Sequence, residues 1–350
     1  MSAIITAYGD PENLFELIDL LEERGYEVIV SADCLKEDAV RELKKRKVRL
    51  TLSDRRRGKW KALNDALDLV TGDYVLFVDS DTMLTEIPNP DAEVIEMTKE
   101  VTGNSIMERL VAVDYLLMNF SARVASRILG FSMINGAAFV CRSDVARRLR
   151  FRPRIIEDAD FGLRAGFSGY RVAVKGRAVT RAPSTLRDWF RQRERWAVGG
   201  AELFAEFLPR FIRMPKMLIP MLVLYYPALI GFTLAMLLPD SIAIKILYFL
   251  LPLLLSLPVK AVAVFMLLVF EFHLFRNLIA MFTSFVMWLV FVGYISRRYG
   301  FRIDYRVLPL YYFLYSPLWT MVNIAMLFRY LLLRLAGRDV RVEGWKVGQA

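Results

Sequence analysis

Cysteine and histidine are almost absent from this chain, and their scarcity removes several chemistries at once. Cys34 and Cys141 are the two cysteines, too few for a disulfide framework or a cysteine-rich metal site. The single histidine, His273, falls in the apolar half, which argues against histidine-based catalysis and zinc chemistry. Any metal must then be held by carboxylates, a donor set that suits Mg²⁺ or Mn²⁺. A basic, apolar leader is missing too. MSAIITAYGDPENL has no cationic start and only a short apolar run, so it does not read as a secretory signal, and the N-terminal part is expected in the cytosol. No recognised nucleic-acid-binding motif, repeat or low-complexity stretch stands out. The net charge of +10 therefore reads as that of a positive-inside membrane protein held against anionic lipid, with no nucleic-acid partner. A phosphate-rich small substrate would also welcome it.

Hydrocarbon is plentiful. Hydrophobic residues make up 55% of the 350 and charged ones still 24%, with a mean hydropathy of +0.35. Both can hold only if charge and hydrocarbon are segregated, and they are. The first half is mixed, whereas Met217 to Leu333 is nearly continuous hydrocarbon. A helix needs about 20 apolar residues to cross a bilayer. The expected spans are Met217–Leu238, Ile242–Phe270, Leu278–Ile295 and Leu308–Leu333. Pro252, Pro258 and Lys260 leave the second as either one kinked span or two short ones, so that the count is four or five. Ser184 to Met214 interleaves Leu186, Trp189, Phe190, Leu203 and Phe207 with Arg187, Arg191 and Arg210, and reads as a helix on the membrane surface. The expected layout is a catalytic domain over 1–183, interface helices over 184–216, about four transmembrane helices over 217–333 and a basic tail over 334–350.

The first region alternates strand and helix. Ala3–Ala7, Glu27–Val30, Val48–Leu52 and Tyr74–Val78 read as strands; Pro11–Arg24, Asp38–Arg46 and Lys59–Val70 read as helices. This order predicts an α/β domain with a mainly parallel sheet covered by helices. Ligands in such sheets sit at the carboxyl ends of the strands. Asn104–Leu129 is an amphipathic helix, facing either the core or a membrane or acceptor channel.

Acidic residues follow the strands. Asp79-Ser80-Asp81 ends the apolar run Tyr74–Val78. Two carboxylates there are either a solvated strand end or a site where a divalent cation relieves their repulsion and docks diphosphate oxygens. Glu157-Asp158 opens a helix after the glycine-containing patch Ile134–Val140. The pair is either a cap or a general base that takes a proton from an attacking hydroxyl. Arg55–Lys59 is a basic, glycine-containing loop at a helix start, either solvated or suited to phosphate, without the spacing of a P-loop. Gln192, Arg195 and Trp196 share a helix face. There Trp196 is either an interface anchor or, with Arg195, a platform for an acceptor and a leaving diphosphate.

In this order the motifs resemble those of the family 2 glycosyltransferases of the GT-A fold, and more narrowly the membrane-integrated branch of cellulose, chitin and hyaluronan synthases and ceramide glucosyltransferases. The resemblance runs over about the whole chain. It implies that Tyr8, Asp10 and Asp33 face the nucleotide and that Lys59, in Gly58-Lys59…Ala62-Leu63-Asn64, lies near the diphosphate. It further implies that Asp81, with Asp79, holds Mg²⁺ or Mn²⁺. Glu157 and Asp158 become the acceptor-side motif, with Asp158 the base, and Gln192, Arg195 and Trp196 the Gln-x-x-Arg-Trp motif of the membrane branch. The expected reaction is inverting transfer from a nucleotide-diphosphate sugar, with a UDP-sugar favoured over GDP. The expected acceptor is a lipid or lipid-linked glycan at the cytoplasmic face of the plasma (inner) membrane. The polymer synthases carry transmembrane helices before their catalytic domain, and this chain starts directly on the domain, which favours single addition. The alternatives are a processive synthase that translocates its product and, from another class, a transporter or channel with a nucleotide-sensing domain.

Overall fold

The computed structural model describes residues 1–11, 13–213, 258–270 and 273–338. The chain divides into two compact units, Met1–Met217 with Met321–Ala350, and Leu218–Thr320.

The first unit is built on an eight-stranded sheet of order β3-β2-β1-β4-β7-β6-β8-β5. Its strands are β1 Ser2–Tyr8, β2 Glu27–Asp33, β3 Arg49–Ser53, β4 Tyr74–Asp79, β5 Met83–Glu86, β6 Val94–Val101, β7 Ala138–Arg142 and β8 Val172–Thr180. The sheet is mixed, which corrects the expectation of a mainly parallel one. The β3-β2-β1-β4 half is parallel, as the alternation with α1 (Leu14–Glu23), α2 (Glu37–Lys45) and α3 (Lys59–Leu67) requires. β7 then enters antiparallel to both β4 and β6, β8 runs parallel to β6, and β5 pairs antiparallel with β8. Helices α4 (Ile106–Leu129), α5 (Ser143–Leu149), α6 (Glu157–Phe167) and α7 (Leu186–Ile212) belong to the same unit.

The parallel half follows its sequence closely because β1, β2 and β4 are short, largely apolar stretches. Ile4, Ile29, Leu76 and Phe77 are essentially inaccessible, and burying each such side chain contributes about 1.5–3 kcal/mol. An aromatic column beneath the strand ends fixes α6. Phe77 stacks on Phe139 at 4.6 Å between centroids, and Phe151 stacks on Phe161 at 4.8 Å. A Cβ on Gly162 would stand 2.8 Å from the backbone nitrogen of Ile134, so α6 lies flush on the segment that leads into β7.

Helix α4 starts at a capping box formed by Ser105 and Glu108 and packs Leu110, Val113 and Leu117 inward, against β6 and β8. Helix α7 also has a buried face. Trp189 is fully buried, and Leu203 and Phe207 join the core cluster of Phe77, Phe139 and Phe161. Phe190, Phe204 and Ile212 remain exposed on its other side.

Beyond α7, the described residues form α8 (Val259–Phe270), α9 (Leu274–Tyr299) and a helical run Tyr305–Leu335, whose last part is α10 (Ser316–Leu335). The stretches Leu274–Tyr299 and Tyr305–Leu335 are long and apolar enough to cross a membrane. They cover the expected spans Leu278–Ile295 and Leu308–Leu333. The span Met217–Leu238 and most of Ile242–Phe270 lie outside the described residues, as does the tail beyond residue 338. Within the second unit, Trp288 stacks on Tyr311 at 5.5 Å, and the Ser284 and Tyr312 hydroxyls meet at 2.6 Å.

Candidate active site

The strand register aligns the candidate residues along one edge. Tyr8 pairs with Asp33, Asp33 with Ser53, and Thr6 with Asp79, so the carboxyl ends of β1 to β4 finish together. Tyr8 is exposed, with the Arg56 guanidinium 4.9 Å above its ring. Asp10 stands at the rim in an ion pair with Lys36. Asp33 is buried. It accepts hydrogen bonds from the Arg57 backbone at 2.7 Å and from Arg57 Nε at 2.8 Å. Its carboxylate is therefore engaged by the basic loop itself. Gly58 follows at φ +93°, a conformation open to glycine, and turns the chain so that Lys59 begins α3.

Lys59 is the hub. Its Nζ donates to Asp79 Oδ2 at 2.7 Å and to the Gly136 carbonyl at 3.4 Å, and lies 3.9 Å from Glu157 Oε1. Burial pulls its pKa down, but the charges of Asp79, Glu157 and Asp158 outweigh burial and raise it, so the ammonium is permanently charged. One lysine thus gathers carboxylates from the end of β4 and from the start of α6, stretches separated by nearly eighty residues. Asp79 Oδ1 also accepts from Thr6 Oγ1 at 2.6 Å.

Glu157 is buried, and its pKa is pushed up to about 8, first by burial and then by the Asp158 charge, against the pull of Lys59. Asp158 is anchored through both oxygens. Oδ1 accepts from the Ala159 backbone at 2.8 Å, and Oδ2 accepts from the Gly136 backbone N–H. A Cβ on residue 136 would stand 2.9 Å from Asp158 Oδ2, so the glycine permits this approach. Gly136 and Asn135 were quoted in the sequence only as part of an apolar patch.

Asp81 differs from Asp79. Burial and the Asp79 charge raise its pKa, and its partner in hydrogen bonding is Thr82 Oγ1 at 3.4 Å. An exposed carboxylate at the strand end, with the negative charge of Asp79 beside it, fits a hard divalent cation. Among the described residues, no cluster of three or more His, Cys, Asp or Glu side chains could hold a metal alone. The fit is to an ion whose remaining ligands come from diphosphate oxygens and water, the usual arrangement for Mg²⁺.

The Gln192–Trp196 stretch of α7 approaches from the other side. A Cβ on Gly199 would stand 2.8 Å from Ile156, the residue before Glu157, so α7 lies against the start of α6. Trp196 is held by the Arg193 guanidinium 4.5 Å over its ring and by the edge of Tyr115 at 6.4 Å. Arg193 donates to Asp114 Oδ2 at 2.6 Å in a buried pair. Gln192 Oε1 is buried without a hydrogen-bond partner among the described residues, and Arg195 is half-buried. Tyr115 was not singled out from sequence, and Arg57 and Arg193 were read only as members of a basic loop and of an amphipathic surface helix.

The Glu157 environment has a measurable consequence. Its native carboxyl holds a proton well above the ordinary value of 4.5, so the folded state binds more protons between there and about 8, and stability falls as pH rises across that window. Glu157→Gln should raise the thermal midpoint at pH 9 by about 2–4 °C or more and leave it nearly unchanged at pH 4. A variant that melts lower than the parent at pH 9 would contradict this electrostatic picture.

A mixed sheet with a parallel half, closing acids from β4 and α6 around one lysine, defines a GT-A-like α/β domain. The model of the family described as Glycosyl transferase family 2 matches residues 2–87, and that of Glycosyl transferase family group 2 matches residues 74–333. The chain belongs to the family 2 glycosyltransferases. No curated protein sequence matches it. Among solved structures, it resembles the mannosyltransferase PcManGT from Pyrobaculum calidifontis in complex with GDP-Man and Mn²⁺. That match has 16% identity, covers 96% of this chain and 88% of that one, and has a TM-score of 0.53, which is a likeness of fold. Mannosyl-3-phosphoglycerate synthase from Rubrobacter xylanophilus is 13% identical over 59% of this chain and 75% of its own, with a TM-score of 0.37. Glucosyl-3-phosphoglycerate synthase from Mycobacterium tuberculosis is 17% identical over 58% and 79%, with a TM-score of 0.39.

Proposed function

We propose that this glycosyltransferase is a member of the membrane-integrated branch. It moves a sugar, with inversion, from a nucleotide-diphosphate donor to a lipid or lipid-linked glycan at the cytoplasmic face of the inner membrane. The observation that carries the reading is the Lys59 hub, which draws Asp79 and the Glu157-Asp158 pair to one place. In this reading the donor's nucleotide lies along the ends of β1 to β3, near Tyr8, Asp10 and Asp33. Its diphosphate lies against Lys59. Asp81, with Asp79 close by, would hold Mg²⁺ or Mn²⁺, whose charge neutralises the diphosphate. Asp158 takes the proton of the acceptor hydroxyl as that oxygen attacks the anomeric carbon in line. Glu157, protonated near neutral pH, adds no second negative charge beside it. Lys59 and Arg195 stabilise the departing diphosphate, and Gln192 and Trp196 hold the acceptor. The two long apolar helices support attachment to a membrane, where a lipid acceptor would be met laterally.

The test is a donor screen with purified full-length protein in detergent, a native lipid extract, and Mg²⁺ or Mn²⁺. UDP-sugars come first in the screen. GDP-mannose belongs in it as well, since the Pyrobaculum calidifontis neighbour was solved with that donor. Transfer of labelled sugar into a lipid-extractable product is expected; neither transfer nor donor hydrolysis with any donor would overturn the reading. Chelation with EDTA should cut the rate at least about a hundredfold, with recovery on adding either ion, as expected for loss of a cation that stabilises transition-state charge. A rate indifferent to EDTA would remove the metal from the scheme.

A further inference from the structure

Strand β6 buries two charges where a central strand should bury none. Glu96 is 4% exposed and Lys99 1%. Lys99 Nζ donates to Glu96 Oε1 at 2.5 Å. β6 lies between β7 and β8, and α4 covers it, with Asn119 accepting from the Lys99 backbone N–H at 3.1 Å and donating to its carbonyl at 2.7 Å. Desolvating two charges costs several kcal/mol per ion, and apolar replacements of such pairs are often neutral or stabilising. Stability alone therefore gives no reason for this pair.

Its second contact gives one. Glu96 Oε2 accepts from the Asn135 backbone N–H at 3.2 Å. The next N–H, that of Gly136, holds Asp158 Oδ2. The same short segment also reaches Asp79 and Lys59. Ala137 N–H donates to Asn135 Oδ1 at 3.1 Å, the Ala137 carbonyl accepts from the Asp79 backbone at 3.0 Å, and the Gly136 carbonyl accepts from Lys59. With a Cβ at residue 136 only 2.9 Å from Asp158, the segment has no slack toward the acid it holds.

We propose that Glu96 and Lys99 are positioning residues for glycosyl transfer: they clamp the Asn135–Gly136 backbone so that the Gly136 N–H orients Asp158 toward the acceptor. The inference rests on the reading of Asp158 as the base. Burial pushes Glu96 up to about 7, and Lys99 opposes that rise, so the lysine favours the carboxylate form that accepts from Asn135. The charges that act on Glu96 come from Lys99 on its own strand and from Asp158 on α6.

The experiment compares two double variants of the full chain in the transfer assay, Glu96→Leu with Lys99→Met and Glu96→Gln with Lys99→Met. Both remove the ion pair, but the second keeps an oxygen for the Asn135 N–H. The Leu/Met protein should melt at or above the wild-type temperature. It should keep its donor KM within about twofold and lose at least about tenfold in kcat, since sub-ångström displacement of a reacting group is costly. The Gln/Met protein should recover most of that kcat. Unchanged kcat in the Leu/Met protein, equal loss in both, or failure of the Leu/Met protein to fold would each overturn the proposal. A wild-type protein that transfers no sugar would remove the functional reading and this inference with it. An active wild type with indifferent variants would remove the inference alone.

Discussion

Asp158→Asn is expected to cut sugar transfer by about 10²–10⁴-fold, the usual worth of a positioned general base, and to leave donor binding intact. An amide of nearly the same shape cannot take the acceptor's proton. The substitution also has a structural cost. Both carboxylate oxygens accept backbone N–H groups, from Ala159 and Gly136, so an Asn must turn its NH₂ toward one of two donors. A local loss of about 1–3 kcal/mol follows from the unmet contact. For this reason donor affinity, measured by calorimetry with Mg²⁺ present, is the decisive control. Kd within about threefold of wild type with transfer gone supports the base, since the proposed donor contacts lie on Lys59, Asp79 and Asp81. A parallel collapse of donor binding, or a rate within tenfold of wild type, would show that Asp158 does something else.

The parts of the molecule that were legible in the sequence were those where local pattern and burial agree. β1 through β4 are apolar runs separated by amphipathic helices, and each emerged within a few residues of its expected place. The second half of the sheet was hidden. β6 reads VIEMTKEV, and a strand with Glu96, Thr98 and Lys99 looks half-solvated although all three are buried. Only the packing of β7, β8 and α4 around it reveals that these side chains are buried and paired rather than exposed. β7 enters antiparallel, a reversal that no local signal announces. Trp189 shows the same limit from the other direction. Next to arginines and just before an apolar span, it read as a membrane-facing residue, yet it is fully buried in the first unit. In the site, the acidic motifs could be found from spacing because charges at the ends of apolar strands are rare. Arg57 could not, because a run of three arginines does not say which one turns inward to Asp33.

The Lys59 ammonium is where fold and chemistry are least separable, so its removal should be felt in both. Lys59→Met keeps the length and apolar stem of the side chain and deletes the charge that faces Asp79 and Glu157. Losing a charged hydrogen bond of this kind costs about 1.5–3 kcal/mol. Glu157 makes the cost depend on pH in a definite direction. Its carboxyl already holds a proton up to about pH 8 in the native protein, and Lys59 is the charge that pulls that value down. Without the lysine the native carboxyl keeps its proton to still higher pH. Stability then goes on falling with pH beyond the point where the wild-type curve levels off. The gap in thermal midpoint between wild type and variant should therefore widen from pH 7 to pH 9.5; a gap that narrows over that range would contradict the placement of Glu157 beside Lys59. For transfer, the expected loss is about 10²–10³-fold in kcat, the worth of one preorganised group aimed at developing charge. In the proposed reaction the departing diphosphate gains negative charge as its bond to the sugar breaks, and Lys59 is the charged group that would meet it between β4 and α6. A variant that folds at pH 7 and transfers within tenfold of wild type would mean that the lysine serves only to hold the acids together.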